Sequence, residues 1–174
     1  MLTGAPGVGK TTTVTQLCAH YSAKGMRIHG ISTREMRDKG QRIGFKITDL
    51  ATGKEGWLAR KSSTVGPRVG SYHVVSEDLE NIGVRALERA IEGTADLILV
   101  DEIGPMEMTS SAFREAISSI LKEETPTVVT VKLGSRYSEV EHVRPQSIQL
   151  EITKDNREDT LRKVTEYIDE WIKR

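Results

Sequence analysis

The sequence of 174 residues has a single cysteine, Cys18, which excludes an intramolecular disulfide and any cysteine-based zinc site. Cys18 falls on the apolar side of a helical pattern, where packing is its expected role. Aromatic residues are only 5% of the chain, with little interleaving among basic residues of the kind that stacks single-stranded bases. No apolar run comes near the ~18 residues of a membrane-spanning helix, and no basic-then-apolar leader precedes the first motif. The histidines His20, His29, His73 and His142 are scattered without metal-ligand spacing. Internal repeats, low-complexity tracts and domain-dividing linkers are missing too. What remains is a chain of moderate apolar content, long enough to bury a core. It is expected to form one domain over residues 1–174, in the cytoplasm, with a monomer as the default state.

Net charge is also lacking, at zero, but the charges are unevenly spread. Residues 1–70 carry 12 Lys/Arg against 4 Asp/Glu, and residues 71–174 carry 13 against 21. A basic first part suits a polyanionic ligand. The basic residues stand singly, so nucleic acid is not indicated as that ligand.

The ligand class is set by Gly4-Ala5-Pro6-Gly7-Val8-Gly9-Lys10-Thr11, a full match to the phosphate-binding loop G-x-x-x-x-G-K-[ST]. Its glycines permit a backbone path whose N–H groups turn inward around an anion. Lys10 brings positive charge to the β- and γ-phosphates, and the Thr11 hydroxyl is a ligand for Mg²⁺. A helix follows at once, with Val14, Leu17, Cys18 and Tyr21 on one face and Gly25 as its C-cap. Its N-terminal N–H groups and dipole point at the same phosphates. Only Met1 and Leu2 precede Thr3, so the strand feeding the loop is either unusually short or starts upstream of Met1.

Beyond the loop, strands and helices alternate. Strands are expected at Arg27–Thr33, Ile43–Leu50 and Glu55–Arg60, joined by turns at Arg37–Gln41 and Ala51–Lys54, as an antiparallel insertion. A polar loop spans Lys61–Gly70, and a strand Val69–Val75. Ser76 is a plausible N-cap for a helix through Leu79, Ile82, Ala86 and Ala90 to about Glu92. A second helix opens near Thr109 or Ser110 and packs through Phe113, Ile117, Ile120 and Leu121. Thr127–Val131 and Ser147–Ile152 read as strands, and Ser135–Val143 as a short helix or an irregular loop. Asp155 and Glu158 resemble an acidic capping box before a final helix bearing Leu161, Val164, Ile168, Trp171 and Ile172. The pattern is α/β, with a mostly parallel sheet flanked by helices.

One strand stands apart. Leu97-Ile98-Leu99-Val100 is apolar on both faces, as a central parallel strand must be, and it delivers Asp101 and Glu102 at its carboxyl end. Asp101 is placed to hold Mg²⁺ and Glu102 to orient and deprotonate a water. Thr130 is either a polar sensor of the γ-phosphate or an ordinary strand threonine. Arg157 reaches a phosphate or pairs with Glu158 or Asp159. Arg34, Arg37 and Arg68 are candidates to close over the phosphates, each set against a solvated surface position. Trp57 and Tyr72 flank a base or lie in the core.

The loop together with Asp101-Glu102-Ile103-Gly104-Pro105-Met106-Glu107 resembles the archaeal and bacterial THEP1 family of nucleoside-triphosphatases. The resemblance spans essentially the whole chain, through Ser32-Thr33-Arg34-Glu35, Gly44-Phe45, Arg68-Val69-Gly70-Ser71-Tyr72 and Asn156-Arg157. It implies a RecA-like P-loop fold with the Thr127–Val131 strand between the loop strand and the Asp101 strand. It also implies hydrolysis of ATP, GTP and other triphosphates with loose base choice. Nucleotide contacts are then expected on Gly4–Thr11 and on Leu97, Ile98, Leu99, Val100, Asp101, Glu102, Ile103 and Gly104. In this reading Lys10 and Glu102 are catalytic, and Thr11 and Asp101 hold the metal. The segment Lys132-Leu133-Gly134-Ser135-Arg136 departs from the family pattern, lacking a histidine many relatives carry there. Two other readings use the same motifs. A nucleotide or small-molecule kinase would use the 60–70 loop as a lid, and a nucleotide-dependent switch or nucleic-acid-linked ATPase would use slow hydrolysis as a timer.

Overall fold

The computed structural model describes residues 1–173. Nine strands form one sheet in the order β5-β6-β4-β3-β2-β7-β8-β1-β9. Its parallel part joins the start of β2 (Ile28–Asp38), β7 (Leu97–Ile103), β8 (Thr127–Lys132), β1 (Leu2–Gly4) and β9 (Leu150–Glu151). Its antiparallel part adds β3 (Gln41–Asp49), β4 (Glu55–Arg60), β6 (Tyr72–Val74) and β5 (Arg68–Val69). The loop strand β1 is three residues long, and β8 lies between it and β7. This is the arrangement the resemblance implied.

The insertion begins later than the hydropathy pattern predicts. Strand β2 is long enough to serve both parts of the sheet: Ile28–Ser32 pairs in parallel with β7, and Ile31–Asp38 pairs antiparallel with β3. It runs through the expected turn at Arg37, and the chain reverses at Lys39 and Gly40. Both have positive φ, 46° and 80°, the signature of a type I′ hairpin. The expected Val69–Val75 strand is instead the β5–β6 hairpin, and the expected Ser147–Ile152 strand narrows to β9.

Helices cover both faces. On one lie α1 (Lys10–Ala23) and α6 (Arg157–Ile172), packing Val14, Leu17, Tyr21, Val164 and Ile168 against Leu97 and Leu99. On the other, a helical run over residues 76–94 and α4 (Ser111–Ile120) pack Leu79, Ile82, Leu87, Phe113 and Ile117 against Ile98 and Val100. The run at 76–94 comprises α2 (Ser76–Asp78), α3 (Arg85–Arg89) and two π-helical stretches, Leu79–Val84 and Ala90–Thr94. It is followed by α4 and the short α5 (Ser138–Glu141). Strand β7 thus sends alternate apolar side chains into two separate cores, the period-two geometry of a strand buried on both faces.

The caps follow the sequence unevenly. Ser110 caps α4, its hydroxyl accepting from the Phe113 N–H at 3.3 Å. Val75 rather than Ser76 precedes the 76–94 run, and Asp78 turns away to accept the Trp57 N–H at 2.7 Å. The Asp155–Glu158 capping box does not form. Asn156 precedes α6 and instead ties down the incoming chain, accepting from Thr153 N–H and donating to the Glu151 carbonyl.

Phe113 is wholly buried where α4 meets the sheet. Phe113→Ala leaves a cavity between packed layers, so the urea unfolding midpoint is expected to fall by an amount equivalent to ~3–5 kcal/mol.

Candidate active site

The carboxyl ends of β1, β8 and β7 open together into a cavity of about 980 Å³. The loop forms one wall. Gly7 and Gly9 take φ of 76° and 115°, a left-handed path that L side chains resist, and Gly9 is the residue that precedes α1. Pro6, Gly7, Gly9, Lys10 and Thr11 line the cavity, while Val8 packs into the core beneath. Gly4 ends β1 and Ala5 begins the turn.

Lys10 is nearly buried, at 8% exposure. Its Nζ donates to the Gly4 carbonyl at 3.0 Å and the Ala5 carbonyl at 3.4 Å, and lies 3.6 Å from Glu102 Oε2. A cation so enclosed has to be satisfied by oxygen on several sides. The mixture of neutral carbonyls and one carboxylate leaves its charge only partly neutralised.

The opposite wall is the end of β7. The register of β7 with β8 shifts between Val100 and Ile103, an irregularity of the kind that re-aims side chains beside functional sites. Asp101 is buried, and its Oδ1 accepts from the Thr130 hydroxyl at 2.6 Å. Its Oδ2 is buried without a hydrogen-bond partner among the described residues. Burial pushes the Asp101 carboxyl up, while the Thr130 and Thr11 hydroxyls and the Lys10 ammonium favour the charged form. Glu102 is likewise raised by burial, opposed by Lys10 and reinforced by the neighbouring Asp101.

A third acid lies behind these two. Glu107 is 3% exposed, and burial, aided by the charges of Glu102 and Asp101, raises it to about 8. Gly104 lets it approach: a Cβ there would sit 2.9 Å from Glu107 Oε2 and 3.2 Å from Glu102 Oε1. Glu107 stands inside the Asp101–Glu107 motif, where its sequence context gives it no role of its own. A single glutamate in a turn carries no local mark of burial, and only its packing reveals it.

Leu97, Ile98, Leu99, Val100 and Ile103 are fully buried on the faces of β7. They deliver Asp101 and Glu102 to the cavity and do not line it; of the Leu97–Gly104 stretch, Glu102 does. The Thr130 hydroxyl is committed to Asp101. Arg157 neither reaches the cavity nor pairs with Glu158 or Asp159. Its Nε donates to the Val8 carbonyl at 2.5 Å, and its side chain lies against Gly9, so it braces the loop from behind. Arg34 and Arg37 line the cavity with Arg42, which the sequence analysis passed over. All three are engaged with carboxylates, Arg34 with Glu55 and the other two with Glu35. Arg68 stays in its own hairpin, bonded to the Gly70 carbonyl. Trp57 lies under Arg60, and Tyr72 packs edge-on against Phe45, which is the aromatic at the cavity wall. No residue of the 60–70 loop is among those lining the cavity.

The model of a protein family described as NTPase matches residues 1–165. The chain belongs to this NTPase family. It is 41% identical over 165 residues to the nucleoside-triphosphatase THEP1 of Methanosarcina acetivorans, covering 94% of this chain and 93% of that one. The crystal structure of THEP1 from the hyperthermophile Aquifex aeolicus superposes with a TM-score of 0.83 at 32% identity, covering 96% of each chain. The solution structure of a human cancer-related nucleoside triphosphatase gives 0.78 at 30% identity, over 96% of this chain and 95% of that one. The mostly parallel, helix-flanked P-loop fold of this NTPase is therefore established along with its family. No helix among the described residues is long and apolar enough to cross a membrane.

The buried Glu107 makes a pH-dependent contribution with a definite sign. Its folded value lies above the ordinary 4.5, so the folded state holds a proton that the unfolded state releases, and stability falls as pH rises between those values. Below 4.5 both states are protonated and the contribution is constant. Unfolding of the parent between pH 5 and 8 is expected to show this loss, and Glu107→Gln to flatten it by up to ~1.4 kcal/mol per pH unit. The check is urea titration at each pH.

Proposed function

We propose that residues 1–174 act as one domain, and as a single chain, to hydrolyse nucleoside 5′-triphosphates to the diphosphate and phosphate with the help of Mg²⁺. ATP, GTP and other triphosphates are the substrates, with loose choice of base. The reading rests above all on the 3.6 Å separation of Lys10 Nζ and Glu102 Oε2 across one cavity. That distance brings the phosphate-binding cation and the acid at the end of β7 to the same reacting group.

The division of labour follows from position. The loop N–H groups and the start of α1 hold the polyphosphate, and Lys10 gives up part of its contact with carbonyls for phosphate oxygens. The cavity is roomy on the side away from the loop, where Phe45 is the aromatic beside Ser32, Thr33 and three arginines. A wall of that kind grips phosphate and ribose better than it discriminates bases, which supports loose base choice. Glu102 is half-buried at the cavity wall, and Lys10 favours its charged form against the burial that raises it. It orients water and takes its proton as the water oxygen bonds to the γ-phosphorus, and the bond to the β–γ bridging oxygen breaks with its electron pair leaving on the diphosphate.

The residues fit a magnesium ion. Asp101 Oδ2 is buried and unpartnered, aimed from a carboxylate whose other oxygen is fixed by Thr130, and hard oxygen donors of this kind suit Mg²⁺. Asp101 and Thr11 would hold it, and when bound it supplies neutralisation of the phosphate charge.

Phosphate release measured with ATP, GTP, CTP and UTP tests the reading. Turnover is expected with all four, and chelation of Mg²⁺ with EDTA is expected to remove it. Transfer of the phosphoryl to an added acceptor, or turnover only with nucleic acid present, would favour the rival readings. Glu102→Gln is expected to bind nucleotide at near-parental affinity while turnover falls by ~10²–10⁴-fold, the usual worth of a general base. Parental turnover in this variant would remove Glu102 from its role.

A further inference from the structure

Five cations line the cavity: Lys10, Arg34, Arg37, Arg42 and Lys132. Four are engaged by the protein itself. Lys10 holds two carbonyls and faces Glu102, Arg34 is paired with Glu55, and Arg37 and Arg42 share Glu35. The Lys132 ammonium, unlike the Lys132 carbonyl that accepts from the Ser135 N–H, has no hydrogen bond or ion pair among the described residues. It ends β8, the strand between the loop strand and the strand of Asp101, and its Cα is in register with Gly4. Alternation along a strand puts residues two apart on one face. Thr130 is bonded to Asp101, so Lys132, two positions on, leaves the sheet on the side of the acids. Its charge favours the ionised form of Glu102.

Its stem also lies on the rim between two cavities. A smaller one, about 430 Å³, is lined by Lys132 with Leu133, Gly134, Arg136 and Arg144. Lys132 thus borders open space on both sides, and its flexible four-carbon stem can place the ammonium over the terminal phosphoryl group. During transfer, charge spreads over the three equatorial oxygens of that group. A cation already bound to carboxylates must first break those contacts to help. A cation without partners has no such cost.

Resting on the hydrolase reading above, we infer that Lys132 is a catalytic residue that donates an N–H to a non-bridging γ-phosphate oxygen in the transition state. It thereby supplies from within the chain the charge that other phosphoryl-transfer enzymes draw from a partner's arginine. It forms and breaks no covalent bond, and the proton and electron pair follow the course given above. The interaction is strongest with the metaphosphate-like group, so it acts on kcat and not on ground-state affinity.

Lys132→Ala, Lys132→Gln and Lys132→Arg, made in the full chain, test this, with Lys122→Ala as an exposed control in the turn after α4. Phosphate release with ATP and GTP gives kcat and KM. Titration with a fluorescent nucleoside diphosphate gives ground-state affinity, and the same titration with aluminium fluoride and Mg²⁺ reports the transition-state-like complex. The alanine and glutamine variants are expected to lose ~10²–10³-fold in kcat and their fluoride-dependent tightening. KM and diphosphate affinity stay within about twofold, and arginine restores part of the loss. Parental kcat in both neutral variants overturns the inference while leaving the hydrolase reading intact. A loss in diphosphate affinity equal to the loss in kcat overturns it as well, making Lys132 a ground-state binding residue. A parent chain that binds diphosphate but releases phosphate from no triphosphate defeats both. Should Lys132→Ala fail to fold, as judged by circular dichroism, Lys132→Gln, which keeps part of the stem and a polar end, decides the question.

Discussion

The enclosed ammonium of Lys10 is the constraint around which this molecule is arranged. A nearly buried cation needs oxygen on several sides, and the sheet supplies it from two strands that are not neighbours in sequence. The ends of β1 offer carbonyls, and the end of β7 offers a carboxylate. For both to reach one nitrogen, β1 and β7 must run in the same direction and finish at the same level, with a single strand between them. The order β7-β8-β1 meets that requirement. The two apolar cores on either side of β7 then hold the acids at a fixed height above the loop.

Burial sets the chemistry of the acids in graded steps. Glu102 faces the cavity and feels Lys10 directly. Asp101 is deeper, with one oxygen fixed by Thr130 and the other unpartnered. Glu107 is deepest, and burial raises it to about 8. Three carboxylates near one another cannot all be charged without a cation to match them. A protonated Glu107 behind the other two lowers the repulsion among them, so the same turn combines two acids that feel Lys10 with a deeper one whose neutrality makes them tolerable.

Much of this was readable in the chain. The loop G-x-x-x-x-G-K-T, the doubly apolar Leu97–Val100 run and the Asp101–Glu102 pair are local patterns with one dominant structural meaning each. They gave the parallel core, the family and the two walls of the site. The positions read less well were those decided by long-range packing. Strand β2 changes partner midway, which alternation alone does not disclose, and Arg157 turns out to brace the loop because α6 folds back beside α1. Glu107, Arg42 and Lys132 have ordinary local contexts, and only the assembled sheet brings them to the cavity or behind it. The capping pattern at Asp155 and Glu158 misled for the converse reason. Asn156 found better partners in the strand before it than in the helix after it.

The brace on the phosphate loop has a bearing on synthesis. The carbonyl of Val8 is clasped by a side chain 149 positions downstream. A growing chain therefore makes β1 and α1 long before the clasp that steadies them leaves the ribosome. The turn between them is in this respect finished only after β9 has been made.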